Sequence, residues 1–190
     1  VKTIVYLHGF ISSPQSKKAV MLGDYLANCA TGVDYRVPGL HHRPSRAMQQ
    51  VEDACRGIEV GDLTIVGSSL GGFYATVAAE RLGCRAALLN PAVSPHAHFE
   101  RYLGAQRNLY TGEEFVLGPE HIADLAVLQP GNITRPERYW LFVETGDVVC
   151  DYRDAVEFYK GALHTVVRGG DHALASFPEH VPELVEWAKS

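Results

Sequence analysis

The sequence predicts an α/β fold, a mostly parallel sheet of about six strands with helices on both faces. Three observations lead there. Strand-like runs and helical apolar stripes alternate along most of the chain, as in sheets built from strand–helix units. Turn signals such as Gly9, Pro38-Gly39 and Asn90-Pro91 close the strand-like runs. The chain has 190 residues, 46% of them hydrophobic and 21% charged, enough for one domain with a full core.

The elements follow in order. Residues 2–7 are a β-branched and aromatic run ending at Gly9, hence a first strand. Ser13-Pro14 then supplies an N-cap and a proline for a helix over about 14–29, with Ala19, Val20, Leu22, Leu26 and Ala27 recurring at helical spacing. A short strand at 33–37 stops at Pro38-Gly39, and a second helix runs from Ser45 to about Gly57. Leu63 to Val66 is the third strand, Gly71 to Leu82 an alanine-rich helix, and Ala86 to Leu89 the fourth strand. The alternation lapses over 94–130, where aromatics, histidines and turns are scattered; this segment reads as a lid inserted into the single domain 1–190. It resumes with a strand at Tyr139 to Glu144, a helix at Tyr152 to Lys160, a strand at Leu163 to Val167 and a last helix from Pro182 to Lys189.

Composition excludes several functions. A net charge of -5 with scattered basic residues does not suit a nucleic-acid surface. No apolar stretch approaches the ~18 residues that span a bilayer. The N-terminal run is too short for a signal peptide, although a chain opening on Val1 is compatible with trimming. Cys29, Cys55, Cys84 and Cys150 form no close pair, so they read as buried apolar side chains in a reducing compartment, and a cytoplasmic location is expected.

The chemistry begins at Gly67-Ser68-Ser69-Leu70-Gly71, which matches G-x-S-x-G. A chain this long shows the pattern by chance about one time in fifteen, but here it lies directly between a strand and a helix. That setting puts a nucleophilic serine on a sharp turn, and glycine is favoured on both sides because the backbones crowd there. Ser68 is out of register for the role. A phosphate-binding reading fails, since there is neither Gly-Lys-Ser nor G-x-G-x-x-G. An attacking serine needs an oxyanion hole, and the amide of Leu70 is one donor. The loop His8-Gly9-Phe10 after the first strand offers the amide of Phe10 as the second, with His8 holding that loop.

Serine also needs a histidine base oriented by a carboxylate, in the chain order Ser, Asp or Glu, His. Asp147 follows the strand 139–144 through Gly146, and His172 follows the strand 163–167 through Gly169-Gly170-Asp171. Both would emerge on the sheet edge that carries Ser69. Glu144 and Asp151 compete for the acid role, but Glu144 lies in the strand and Asp151 is placed to cap the next helix. His41, His42, His96, His98, His121 and His164 precede the serine, fall in the interrupted segment or begin a strand. His96 and His98 lack a third ligand at metal-site spacing. No metal and no cofactor are expected.

Taken together, His8-Gly9-Phe10, Gly67-Ser68-Ser69-Leu70-Gly71-Gly72, Asn90-Pro91-Ala92-Val93, Tyr110-Thr111-Gly112, Thr145-Gly146-Asp147 with Asp151-Tyr152-Arg153, and Gly169-Gly170-Asp171-His172-Ala173 give the chain a specific likeness. It resembles the YqiA/YcfP family of small bacterial esterases nearly end to end, with Asp171 where such proteins often have Asn. The resemblance implies a minimal α/β-hydrolase fold lacking two leading strands, and a cytoplasmic carboxylesterase acting on fatty acyl esters or acyl-CoA thioesters. It places the triad on Ser69, Asp147 and His172. Phe99, Tyr102, Leu103, Leu109, Tyr110, Phe115 and Leu117 are candidates for an acyl pocket or for cap packing; Arg101, Arg107 and Arg135 read as surface charge. An acyltransferase, a C–C hydrolase or a silent binding protein on the same scaffold are the alternatives. The natural ester and the oligomeric state are not fixed by the sequence.

Overall fold

The computed structural model describes residues 1–29 and 32–190. Its main sheet has six strands, all parallel: β1 (Thr3–Leu7), β2 (Asp34–Arg36), β3 (Leu63–Ser68), β4 (Arg85–Leu89), β7 (Tyr139–Glu144) and β8 (Leu163–Val167), in the order β2-β1-β3-β4-β7-β8. A separate antiparallel hairpin pairs β5 (Gly104–Arg107) with β6 (Glu114–Leu117). The helices are α1 (Lys17–Asn28), α2 (Pro44–Cys55), α3 (Leu70–Leu82), α4 (Pro119–Leu128), α5 (Tyr152–Phe158) and α6 (Phe177–Lys189).

The central strands are buried along their whole length because both faces are covered, and side-chain alternation divides them between two cores. Val5, Leu7, Ile65, Leu88 and Leu141 meet α2, α3, α4 and α5 on one side. Ile4, Tyr6, Val66, Leu89 and Phe142 meet α1 and α6 on the other. Successive crossovers from β1 lead to opposite sides of the sheet, so the carboxyl ends of β1 and β3 border the crevice where α/β sheets place ligand sites. Among the described residues no helix is long and apolar enough to cross a membrane.

Three local expectations need correction. Ser13 does not cap α1; its hydroxyl accepts the Gln15 amide in a turn, and Ser16 takes the N-cap position. The last helix starts at Phe177, not Pro182. Pro178 occupies its first turn and Pro182 lies inside it, because Phe177, Val181, Leu184, Val185 and Ala188 form one buried stripe. The interrupted segment also holds more regular structure than its pattern shows, namely the β5–β6 hairpin and α4.

Candidate active site

Ser69 is the single residue between β3 and α3, at φ 55 and ψ -120, a region that costs a non-glycine residue about 1–3 kcal/mol. Its backbone is fastened on three sides. The Ser69 amide donates to the Leu89 carbonyl (3.0 Å), and its own carbonyl accepts from Gly72 (2.9 Å) and Ala92 (3.0 Å). A side chain at Gly67 would collide with the Gly71 carbonyl, and one at Gly71 with the carbonyls of Leu7 and His8. The two outer glycines of the motif therefore let β1, β3 and α3 converge on the serine.

His172 connects this turn to the far strands. Its Nε2 lies 3.0 Å from Ser69 Oγ and its Nδ1 lies 2.8 Å from Asp147 Oδ2. A carboxylate accepts only, so Nδ1 carries the proton and Nε2 is left to accept from the serine hydroxyl. The other Asp147 oxygen accepts the amides of Val149 (2.8 Å) and Cys150 (2.9 Å). Burial pushes the Asp147 carboxyl up, but the bonds from His172 and these amides outweigh it and leave it below the ordinary carboxylate value. Asp147 is thus a buried, ionised orienter for the imidazole. Asp151 serves elsewhere: it accepts the Arg153 amide at the start of α5 and pairs with the Arg153 guanidinium at 2.6 Å.

The loop that presents His172 rests on two residues not singled out for this role by the sequence. Glu144, at the end of β7 and 1% exposed, accepts from the Asp171 amide (2.7 Å), the Ser176 amide (2.9 Å) and the Ser176 hydroxyl (2.6 Å). Burial raises its carboxyl, and these bonds more than reverse that, so it stays charged. Asn90, at φ 43, donates to the carbonyls of Asp171 (3.0 Å) and His172 (3.3 Å) and accepts from the Glu144 amide (3.0 Å). Lys18 Nζ donates to the Ala173 carbonyl at 2.8 Å. Asn90-Pro91 is visible in sequence as a turn; its side-chain function is not.

Gly9 packs against Ser69, since a Cβ there would lie 3.4 Å from the Ser69 Cβ. The next amide, that of Phe10, has no hydrogen-bond partner among the described residues, and Leu70 contributes the first helical amide of α3. Both residues line the same cavity as Ser69. His8 has the holding role expected for it: buried, it accepts the Leu40 amide on Nε2 (3.0 Å) and bonds the Gly9 carbonyl through Nδ1 (3.0 Å).

A cavity of about 410 Å³ opens at Ser69 and His172, with Phe10, Phe99, Tyr102 and Tyr110 on its walls. The Phe10 ring meets Phe99 edge-on at 5.1 Å and lies 5.6 Å from Tyr102. Of the other aromatic and apolar candidates, Phe115 stacks on His42 (4.2 Å), Leu117 is in the core, and Leu103 and Leu109 are exposed. A larger polar groove of about 1110 Å³, bordered by Asp147, Arg101 and Tyr152, adjoins the cavity at Ala92 and Val149. Arg135 pairs with Glu137 at the surface. Among the described residues one group has metal-ligand spacing: Asp147, Cys150 and His172, whose ligating atoms lie within 4.8 Å of one another. The Cys150 thiol is pushed up to about 11 by burial and by the Asp147 charge.

The architecture is that of the α/β hydrolases. The mouse α/β hydrolase domain-containing protein 10 superposes with a TM-score of 0.72 at 15% identity, over 97% of this chain and 90% of its own. The ferulic-acid complex of Est1E from Butyrivibrio proteoclasticus gives 0.65 at 18% identity (100% and 87% covered), and a monoacylglycerol lipase from Paleococcus ferrophilus 0.69 at 16% (98% and 93%). Within that class the chain belongs to the uncharacterised protein family UPF0227, which includes YqiA and YcfP and whose model matches residues 3–189.

Proposed function

We propose that the protein is a serine carboxylesterase that hydrolyses small acyl esters or thioesters through Ser69, His172 and Asp147, with the amides of Phe10 and Leu70 as oxyanion donors. The observation that carries this reading is the continuous hydrogen-bonded chain from Ser69 Oγ through His172 to Asp147, opening into a cavity. Ser69 Oγ attacks the ester carbonyl as its proton passes to His172 Nε2, and Asp147 stabilises the imidazolium. The carbonyl oxygen takes the negative charge between the two amides, each worth about 2.7–4 kcal/mol in the transition state. His172 returns the proton to the departing alcohol or thiol. Water, deprotonated by His172, then releases the acid and regenerates Ser69. No step calls for a cofactor.

The aromatic cavity suits the acyl group and the polar groove the leaving group, because the two depressions meet beside Ser69. Residues 94–130 would act as the lid: Phe99, Tyr102 and Tyr110 from this segment line the cavity. The ferulic acid bound to Est1E and the monoacylglycerol lipase on the same fold support acyl-ester chemistry. All four cysteines are free thiols, in keeping with a cytoplasmic location, although only Cys55 and Cys84 are the buried side chains expected: Cys29 is exposed and Cys150 partly buried.

A panel of p-nitrophenyl esters and acyl-CoAs of graded chain length tests the reading. Turnover of at least one acyl class is expected, with Ser69→Ala reducing it by about 10⁴-fold or more. Asp147→Asn should cost about 10³–10⁴-fold while Asp151→Asn changes little. The opposite pattern in the two aspartate variants would overturn the assignment of the acid.

A further inference from the structure

Cys150 has no part in the hydrolytic mechanism, yet its thiol lies within 4.8 Å of the ligating atoms of Asp147 and His172. It sits three residues after Asp147 in a turn fixed by the Asp147 carboxylate, which takes the Cys150 amide at 2.9 Å. The turn therefore holds the Cys150 backbone beside the carboxylate and leaves the thiol free to rotate. The ligating atoms of Cys150, Asp147 and His172, one sulfur, one oxygen and one nitrogen, all lie within 4.8 Å of one another.

We infer that Cys150 and His172 form a binding site for a thiophilic divalent cation of the zinc type, which blocks the nucleophile reversibly. Zinc bonds sulfur at about 2.3 Å and imidazole nitrogen at about 2.0–2.1 Å, which puts two tetrahedral ligands about 3.5 Å apart. Cys150 is only partly buried in a surface turn, so rotation of its side chain can bring the sulfur to that spacing from the imidazole. The imidazole is already oriented for a metal: Asp147 accepts from Nδ1 at 2.8 Å, the carboxylate–histidine arrangement that supports zinc-ligating histidines, and the Nε2 lone pair, which accepts from Ser69, is the one a metal would take. Ser69 Oγ, 3.0 Å from that nitrogen, or water completes the shell. Access is open, because Cys150 borders the 1110 Å³ groove and His172 the 410 Å³ cavity. The sulfur–nitrogen donor set selects zinc-like ions over magnesium or calcium.

Binding forms a metal–sulfur and a metal–nitrogen bond and releases the thiol proton to solvent. The Nε2 lone pair that would take the Ser69 proton is then occupied, so the base is lost while the ion stays bound. Glu144 and Asp171 lie nearby but are engaged by their own donors, the Asp171 and Ser176 amides for the first and the Ala173 amide for the second.

The experiment combines binding with inhibition, so that it is informative even if the esterase reading fails. Wild-type protein loaded with one equivalent of Co²⁺ is expected to show a thiolate-to-cobalt charge-transfer band, absent in Cys150→Ala. Equilibrium dialysis with Zn²⁺ should show affinity at least tenfold weaker in Cys150→Ala, and 10–100-fold weaker in Asp147→Asn, which loses the orienting carboxylate. In parallel, buffered Zn²⁺ should inhibit ester hydrolysis and EDTA restore it. The half-inhibitory concentration, each variant normalised to its own metal-free rate, should rise at least tenfold in Cys150→Ala. An unchanged cobalt band or unchanged zinc affinity in Cys150→Ala overturns the site; a band without any ester turnover keeps the site and overturns the esterase.

Discussion

The strand edge that carries Ser69 and the segment 94–130 that borders the same cavity are built on different principles. At the edge, backbone meets backbone: Gly67 and Gly71 have no room for a Cβ, Ser69 is held at φ 55, and every flanking strand residue from Leu63 to Ser68 is buried. In 94–130 side chains carry contacts such as Phe10 with Phe99 and Tyr102, His42 with His121 (3.0 Å), and Arg43 with Asp124 (2.6 Å), beside a backbone bond from Leu109 to Ile11 (3.2 Å). Leu103, Leu109, Tyr110, Val116 and Val127 remain exposed there. The difference separates two tasks. The proposed reaction, which tolerates little displacement, falls to a close-packed framework, whereas the shape of the aromatic cavity falls to a segment that can change without disturbing it.

Substitutions can break or sharpen this contrast. The largest effect is expected from Gly71→Ala, whose new methyl meets the carbonyls of Leu7 and His8; those backbones cannot move without opening β1 from α3. Loss of about 3 kcal/mol or more in urea unfolding and of nearly all hydrolysis is expected. Glu144→Ala comes next. It removes three hydrogen bonds from the His172 loop and should lower kcat/KM by about 100-fold, chiefly through kcat, with Glu144→Gln recovering part of the loss. Phe99→Ala, on the cap side, should cost the reaction less than about tenfold and shift the preferred acyl length upward, read from kcat/KM across the ester panel.

The smallest effect tests how the cap is held. Arg43 keeps the Asp124 carboxyl down to about 2 through its hydrogen bond, against the opposing effect of burial. A depressed folded value stabilises above the ordinary carboxylate range and is lost as pH falls towards 2, so the pair contributes at neutral pH and not in acid. With both side chains partly solvated the contribution is about 1 kcal/mol. Asp124→Asn should be less stable than wild type by that amount at pH 6 and equal to it near pH 2, measured by urea unfolding at each pH.

The same contrast explains what could be read from the chain. Strand runs, a strand–turn–helix serine and strand-end Asp and His are set by local residue patterns, and the structure brings Ser69, Asp147 and His172 into one hydrogen-bonded chain. Glu144 was visible as a strand-end acid, but its use as the support of a loop 27 residues away depends on the pairing of β7 with β8. Cys150 read as an apolar filler because nothing local shows that its thiol comes within 4.8 Å of the ligating atoms of Asp147 and His172. In 94–130 the hairpin strands are four residues each and half exposed, too short for alternation to register. Helix α4 had a usable signal in Pro119 followed by Ile122 and Leu125, which the surrounding turns masked. Pro182 misplaced the last helix because a proline signals a start only when no buried stripe precedes it.

The central claim, that Ser69 is an activated nucleophile, is tested most directly by fluorophosphonate labelling of the folded protein with peptide mass spectrometry. One adduct per chain, on Ser69, is predicted, lost in His172→Ala and in urea-unfolded protein. No adduct in the folded chain, or an adduct on Ser68 or Cys150 with Ser69 unmodified, would contradict it.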